Sequence, residues 1–167
     1  MQMDGIYFPN HEIIGCLRSN LEMLSGYMEK SQNWDFDYFE RVKKEIDHNL
    51  YNKADEDSFP NIPQRIVSDV RSAVADNGIL SLDNGMYKIW FARNYKAYEP
   101  NSILLDNALA TMGAGLPGAI AASLVHPDRN VLAICGDGGF MMNSQELETA
   151  VRLKVNLTVI VLRDDAY

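Results

Sequence analysis

Helices alternate with strands that are apolar on both faces, and this constrains the fold more than any other feature of the chain. Residues 79–82 (ILSL), 131–135 (VLAIC) and 157–162 (LTVIVL) show no sustained polar alternation. A strand with one wet face alternates apolar and polar positions, whereas a strand covered on both faces does not. Helical spacing fills the gaps between them. Ile66, Val67, Val70 and Val74 form a stripe that opens at Pro63 and closes at Asn77-Gly78, with proline in the first turn and glycine after the last. Residues 87–95 and 117–125 are further predicted helices, and residues 103–105 a short strand. Asn143 or Ser144 is the predicted cap of a helix running to Leu153. The order predicts an α/β fold, a parallel sheet with helices on both faces.

The first third reads differently. Residues 12–15 are a predicted strand and residues 17–28 a helix with Leu17, Leu21, Leu24 and Met28 on one face. Phe36, Phe39, Val42 and Ile46 recur at helical spacing in a charged helix ending near His48, and residues 52–57 form an acidic linker. The 167 residues are 47% hydrophobic and 23% charged with a formal net charge of -8, a globular composition whose sign disfavours a nucleic-acid partner. No apolar run reaches the roughly 18 residues of a membrane span. Met1-Gln2-Met3-Asp4 lacks the basic and apolar regions of a signal peptide. Cys16 and Cys135 both sit beside apolar residues, so both are predicted to be reduced core residues of a cytoplasmic protein. The chain stops soon after a strand-like segment with no closing helix, which reads as a fragment.

In open parallel sheets, ligands gather beyond the carboxyl ends of the strands. Gly136-Asp137-Gly138-Gly139 and Arg163-Asp164-Asp165 occupy such positions. Glycines let a backbone approach a ligand and direct amide N–H groups at an anion. Asp137 would repel that anion unless a divalent cation lay between them, and magnesium commonly bridges carboxylates and phosphates. Asp164 follows Asp137 by 27 positions. If the two strands are neighbours, both carboxylates meet at one edge, and a backbone carbonyl such as that of Ala166 can add a third ligand. The same residues also fit a tight turn whose aspartate caps a helix, with Asp164 an ordinary solvated turn residue.

From Gly136 to Tyr167 the chain resembles the thiamine-diphosphate enzymes, which carry Gly-Asp-Gly, a helix, a strand and then Asn-Asn. The run from Cys135 through Asn143-Ser144-Gln145-Glu146-Leu147-Glu148 to Val151 is similar to acetolactate synthase in particular. The resemblance implies thiamine diphosphate and magnesium as cofactors. It implies Asp137, Asp164 and the Ala166 carbonyl as metal ligands, and Gly136, Gly138 and Gly139 as diphosphate contacts. Arg163-Asp164 stands where the family has Asn-Asn; aspartate keeps a hard oxygen ligand and adds a negative charge. Residues 107–120 resemble the segment that grips the aminopyrimidine ring, which implies Met112 as an apolar wedge and the Ala110 carbonyl as acceptor for the ring's amino group. Met112 is equally readable as core filler. Residues 82–90 resemble the diphosphate-side turn, with Met86 and Tyr87 where relatives often have glutamine and histidine. Asn84, Gly85 and Tyr87 are candidates there; Tyr87 and Trp90 also read as core aromatics.

By the same resemblance, residues 1–28 are the tail of a middle domain, 29–58 a helical linker, and 59–167 a cofactor-binding domain cut short at its end. The implied enzyme decarboxylates pyruvate and joins the two-carbon unit to a second 2-oxo acid. Its activating glutamate comes from a pyrimidine-binding domain, of the same or a partner subunit, absent here. A homo-oligomer, no membrane and no nucleic-acid partner are expected, and the isolated chain is expected to be inactive. Another 2-oxo acid decarboxylase or carboligase of the family is the alternative. A further one rests on Gly113-Ala114-Gly115-Leu116-Pro117-Gly118, which fits the dinucleotide fingerprint G-x-G-x-x-G, with Asp137 following Gly118 by 19 residues as a ribose-binding acid.

Overall fold

The computed structural model describes residues 10–31 and 33–164. The chain divides into two compact units, residues 1–41 and 42–167.

In the first unit, helix α1 spans Leu17–Tyr27 and buries none of its residues. Leu17, Leu21, Leu24 and Met28, its predicted apolar face, are exposed. Residues 12–15 form no strand, against the prediction. Among the described residues no strand lies beside them to satisfy their backbone, and Gly15 takes a φ of 142° just before the helix. Cys16 occupies the N-cap position of α1 and is exposed rather than buried in a core. Backbone and side-chain hydrogen bonds from Ser19, then the Arg18 backbone, hold its thiol below the usual cysteine range. Helix α2 spans Asp37–Tyr51, its residues to Arg41 falling in the first unit and those from Val42 in the second, with Asp37 and Glu40 in its first turn, where negative charge complements the helix dipole. It runs past the predicted end at His48. Its last residue, Tyr51, donates a hydrogen bond of 2.8 Å to the Asn94 carbonyl, both within the second unit.

In the second unit, α3 (Pro63–Ala73), β1 (Ile79–Leu82), α4 (Met86–Asn94), β2 (Ile103–Leu105) and α5 (Gly115–Val125) come first. They are followed by β3 (Val131–Gly136), α6 (Asp137–Asn143), α7 (Glu146–Arg152) and β4 (Thr158–Leu162). The strands pair in the order β2-β1-β3-β4, all parallel. Leu82 pairs with Leu105 on one side and Ile134 on the other, and Gly136 pairs with Leu162.

The predicted double burial is realised in β1 and β3, because successive side chains of a strand point to opposite faces, but not in β4, which stands last in the sheet order and buries none of its residues. Leu132 and Ile134 of β3 join Leu80, Leu82, Val67, Val70, Val74, Tyr87 and Phe91 on one face, under α3 and α4. Val131, Ala133 and Cys135 join Ile79, Ala119 and Ala122 on the other, under α5. Phe91 and Leu80 are 0% exposed, each contributing about 1.5–3 kcal/mol through burial. Cys135, also at 0%, is the buried thiol that the sequence predicts. Arg71 braces the outer edge of this core, its guanidinium 4.9 Å from the Tyr95 ring and 5.1 Å from the Tyr98 ring.

The boundary after β3 also differs from the prediction. The segment after β3 enters a helix at Asp137 itself, so Asn143 closes α6 and does not cap the next helix. Gly138 and Gly139 are weak helix formers, which hid this short helix from propensity reasoning; packing of Gly139 against the β1 tip holds it in place.

Candidate functional site

Strand order reverses direction between β1 and β3: from β1 the chain moves out to β2, then returns across to β3 and on to β4. The carboxyl ends of β1 and β3 therefore flank the switch point, where the connections leave for opposite faces of the sheet and a crevice opens. Asp83-Asn84-Gly85 leaves β1 at this point and Gly136-Asp137-Gly138-Gly139 leaves β3. Asp164 follows β4 next door, and Gly136 is in register with Leu162. Asp137 and Asp164 thus stand at adjacent strand tips on one edge of the sheet. Asp137 is the first residue of α6, and its Oδ1 accepts the Gly138 amide at 2.9 Å. Ala166, the third predicted ligand, lies outside the described residues. Among the described residues no group of three His, Cys, Asp or Glu side chains is gathered to hold a metal.

Asp83, passed over in the sequence as a turn residue, organises the crevice. It is 0% exposed. Its Oδ1 accepts the amides of Asn84 at 2.8 Å, Gly113 at 2.8 Å and Ala114 at 3.1 Å. Its Oδ2 is buried with no hydrogen-bond partner. A Cβ at Gly139 would lie 2.3 Å from that oxygen, so only glycine fits there.

The neighbouring Asn84 is likewise committed inward. Its amide donates to the Thr111 carbonyl at 2.7 Å, and its Oδ1 accepts Lys88 Nζ at 2.5 Å. Lys88 also donates to the Asp106 carbonyl at 2.6 Å, and Asp106 Oδ2 accepts the Thr111 amide at 3.2 Å. These bonds fix residues 106–114, which carry two of the predicted cofactor contacts. Ala110 is held at a φ of 50°, a left-handed conformation costing a non-glycine residue about 1–3 kcal/mol. Met112 is 36% exposed, so it is not filling the core. Asn143 closes the loop from α6, donating to the Gly113 carbonyl at 2.7 Å.

Gly85 precedes α4 in an extended conformation, and a Cβ there would fall 2.4 Å from Tyr87 Cε1. The Tyr87 ring is buried and also packs on Gly136, where a Cβ would come within 2.9 Å of Cε1. Its hydroxyl lies near the Gly136 backbone but makes no bond of acceptable geometry. Burial above all, then the negative charge of Asp83, pushes the phenol above its ordinary range; the Gly136 backbone opposes this only in part. Trp90, also readable as a core aromatic, is half-buried against the same core.

The three glycines of the dinucleotide-like fingerprint are explained by packing. Gly113 has a φ of 87°, and a Cβ there would meet Asn143 Nδ2 at 2.8 Å; Gly115 would meet Asp83 Cβ at 2.7 Å, and Gly118 would meet Ser81 Oγ at 2.6 Å. β2 does not run into the first of them, since residues 106–114 intervene.

The family described as "Thiamine pyrophosphate enzyme, C-terminal TPP binding domain" matches residues 83–167, beginning at the buried aspartate. A Bacillus subtilis protein named as thiamine pyrophosphate-containing is 38% identical over 87% of this chain and 25% of its own length. Acetolactate synthase of the same organism is 35% identical over 99% of the chain and 29% of the relative. Catabolic acetolactate synthase of Raoultella terrigena is 35% identical over 96% of the chain and 29% of the relative. The chain thus spans between 25% and 29% of the length of these relatives.

Proposed function

We propose, since the chain belongs to the thiamine pyrophosphate enzymes through their C-terminal TPP binding domain, that it holds thiamine diphosphate through magnesium as part of an acetolactate synthase. The observation that carries this reading is the adjacency of the Asp137 and Asp164 strand tips at the switch-point edge of the sheet. The residues there suit a diphosphate: Gly136 and Gly139 keep side chains off the turn, and the carboxylates are hard oxygen donors of the kind magnesium takes. Asp137, Asp164 and the Ala166 carbonyl would hold the ion. The backbone of Gly136, Gly138 and Gly139 would face the diphosphate, with Gly85 and Tyr87 on the opposite side and Asn84 supporting the turn. The Ala110 carbonyl would accept a hydrogen bond from the ring's amino group, and Met112 would press against the ring.

The bound cofactor supplies an electron sink for decarboxylating a 2-oxo acid, pyruvate in this reading, and for joining the two-carbon unit to a second 2-oxo acid. This chain's part is to bind and orient. Residues 59–167 form the binding domain, 29–58 a helical linker and 1–28 the tail of a middle domain. The activating glutamate belongs to a pyrimidine-binding domain of the same or a partner subunit, in a cytoplasmic homo-oligomer. No helix among the described residues is long and apolar enough to cross a membrane.

Calorimetry with thiamine diphosphate, with and without magnesium and against NAD, tests the reading. Magnesium-dependent binding of thiamine diphosphate is expected; binding of NAD alone would overturn it. With pyruvate the chain by itself is expected to give no acetolactate, and turnover would refute its dependence on a further domain.

A further inference from the structure

Asp83 is the one charged residue that is buried among the described residues, and nothing in the binding assignment above uses it. A buried carboxylate with one oxygen unpartnered is costly, so its place in this fold calls for an account. The segment it grips is unusual. Within four residues, Ala110 has a φ of 50° and Gly113 a φ of 87°. A loop bent into two left-handed positions relaxes unless outside groups hold it. Asp83 Oδ1 does so from the β1 tip through the Gly113 and Ala114 amides, and Asn143 does so from α6 through the Gly113 carbonyl.

We propose, resting on the cofactor-binding reading, that Asp83 is a positioning residue that sets the 110–114 loop to receive the cofactor's ring. It acts through the loop backbone. Gly113 and Ala114 directly follow Met112, so the orientation of their amides fixes how Met112 and the Ala110 carbonyl are presented. The side chain required is specific. One oxygen must accept three N–H groups, and the other must fit against Gly139. An asparagine with its oxygen on the amides would bury two N–H donors against Gly139; flipped, it would aim donors at donors. Glutamate is one carbon too long for a site in which Gly139 and Gly115 already lie against the aspartate.

The test is Asp83→Asn in the full chain, titrated calorimetrically with two probes, magnesium thiamine diphosphate and magnesium pyrophosphate. Only the first carries the ring. The variant is expected to bind thiamine diphosphate about tenfold or more weakly, as befits lost charge-assisted bonds to the loop, while pyrophosphate affinity stays within about twofold. A general structural defect would weaken both probes alike; that result, or no weakening of either, overturns the proposal. Wild-type protein that binds neither probe overturns the cofactor reading and this inference with it. Amide hydrogen exchange on the wild type supplies a readout independent of any variant's folding. The Gly113 and Ala114 amides are expected to be protected like that of Leu80 in β1. Exchange as fast as that of the exposed Leu109 would show that Asp83 does not hold the loop.

Discussion

Gly115→Ala puts the packing around Asp83 to a quantitative test. Gly115 opens α5, where an added Cβ would stand 2.7 Å from Asp83 Cβ, 3.0 Å from the Asp83 backbone nitrogen and 3.0 Å from Cys135 Sγ. Carbon contacts settle near 3.5–4.0 Å, so α5 must withdraw by roughly 1 Å at the closest point. Two of the three neighbours belong to the residue that leaves β1, whose amide is tied to the Ile134 carbonyl at 2.9 Å, and cannot yield cheaply. Withdrawal lifts Leu116, Ala119 and Ile120 off the core and strains the Asp83 bonds to Gly113 and Ala114. Overpacking costs about 1–3 kcal/mol, and losing one hydrogen bond to a charged acceptor about 1.5–3 kcal/mol. The sum is about 2.5–6 kcal/mol, a large part of the roughly 5–15 kcal/mol that holds a domain folded. Urea denaturation followed by Trp90 fluorescence in a Trp34→Phe background reads the second unit, and at a slope of about 2 kcal/mol per molar the midpoint should fall by about 1.3–3 M. A loss below about 1 kcal/mol would show that α5 does not press on Asp83 as described.

Tyr87→Phe removes a buried hydroxyl without a partner, so stability should change by less than about 1 kcal/mol or rise slightly; a larger loss in the same denaturation assay would reveal a bond the geometry does not contain. Cys16 is exposed with a lowered thiol pKa, whereas burial, with the nearby Asp83 charge, pushes Cys135 up to about 12. Iodoacetamide at neutral pH should therefore label Cys16 in the folded chain and reach Cys135 only after unfolding, as read by peptide mass spectrometry. Cys135 also sets a pH dependence: its thiol holds its proton more tightly when folded, so its contribution is complete below the ordinary value of 9.0 and is lost as pH rises toward about 12. Denaturation midpoints of the wild type should fall across that window, and Cys135→Ala should flatten part of the fall.

The parallel sheet was legible because β1, β3 and β4 lack polar alternation, a property of the strand itself. The strand tips were legible for the same reason: once the strands are placed, the edge on which Asp137 and Asp164 stand follows. What escaped depended on contacts distant in the chain. Asp83 reads as a turn residue until Gly113 and Ala114, thirty and thirty-one positions later, fold back onto it. The start of α6 escaped because two glycines weaken its local propensity, and the packing of Gly139 is invisible to any window of sequence. The strand expected at residues 12–15 failed for the complementary reason: strand-like composition acquires meaning only where another strand supplies a partner for the backbone.

The magnesium bridge is tested most directly by titrating thiamine diphosphate into Asp137→Ala and Asp164→Ala chains alongside the wild type, each with and without magnesium. Wild-type binding should require the ion, and each variant should lose that requirement together with most of its affinity. Full magnesium-dependent binding by Asp137→Ala, or wild-type binding indifferent to magnesium, would contradict the account.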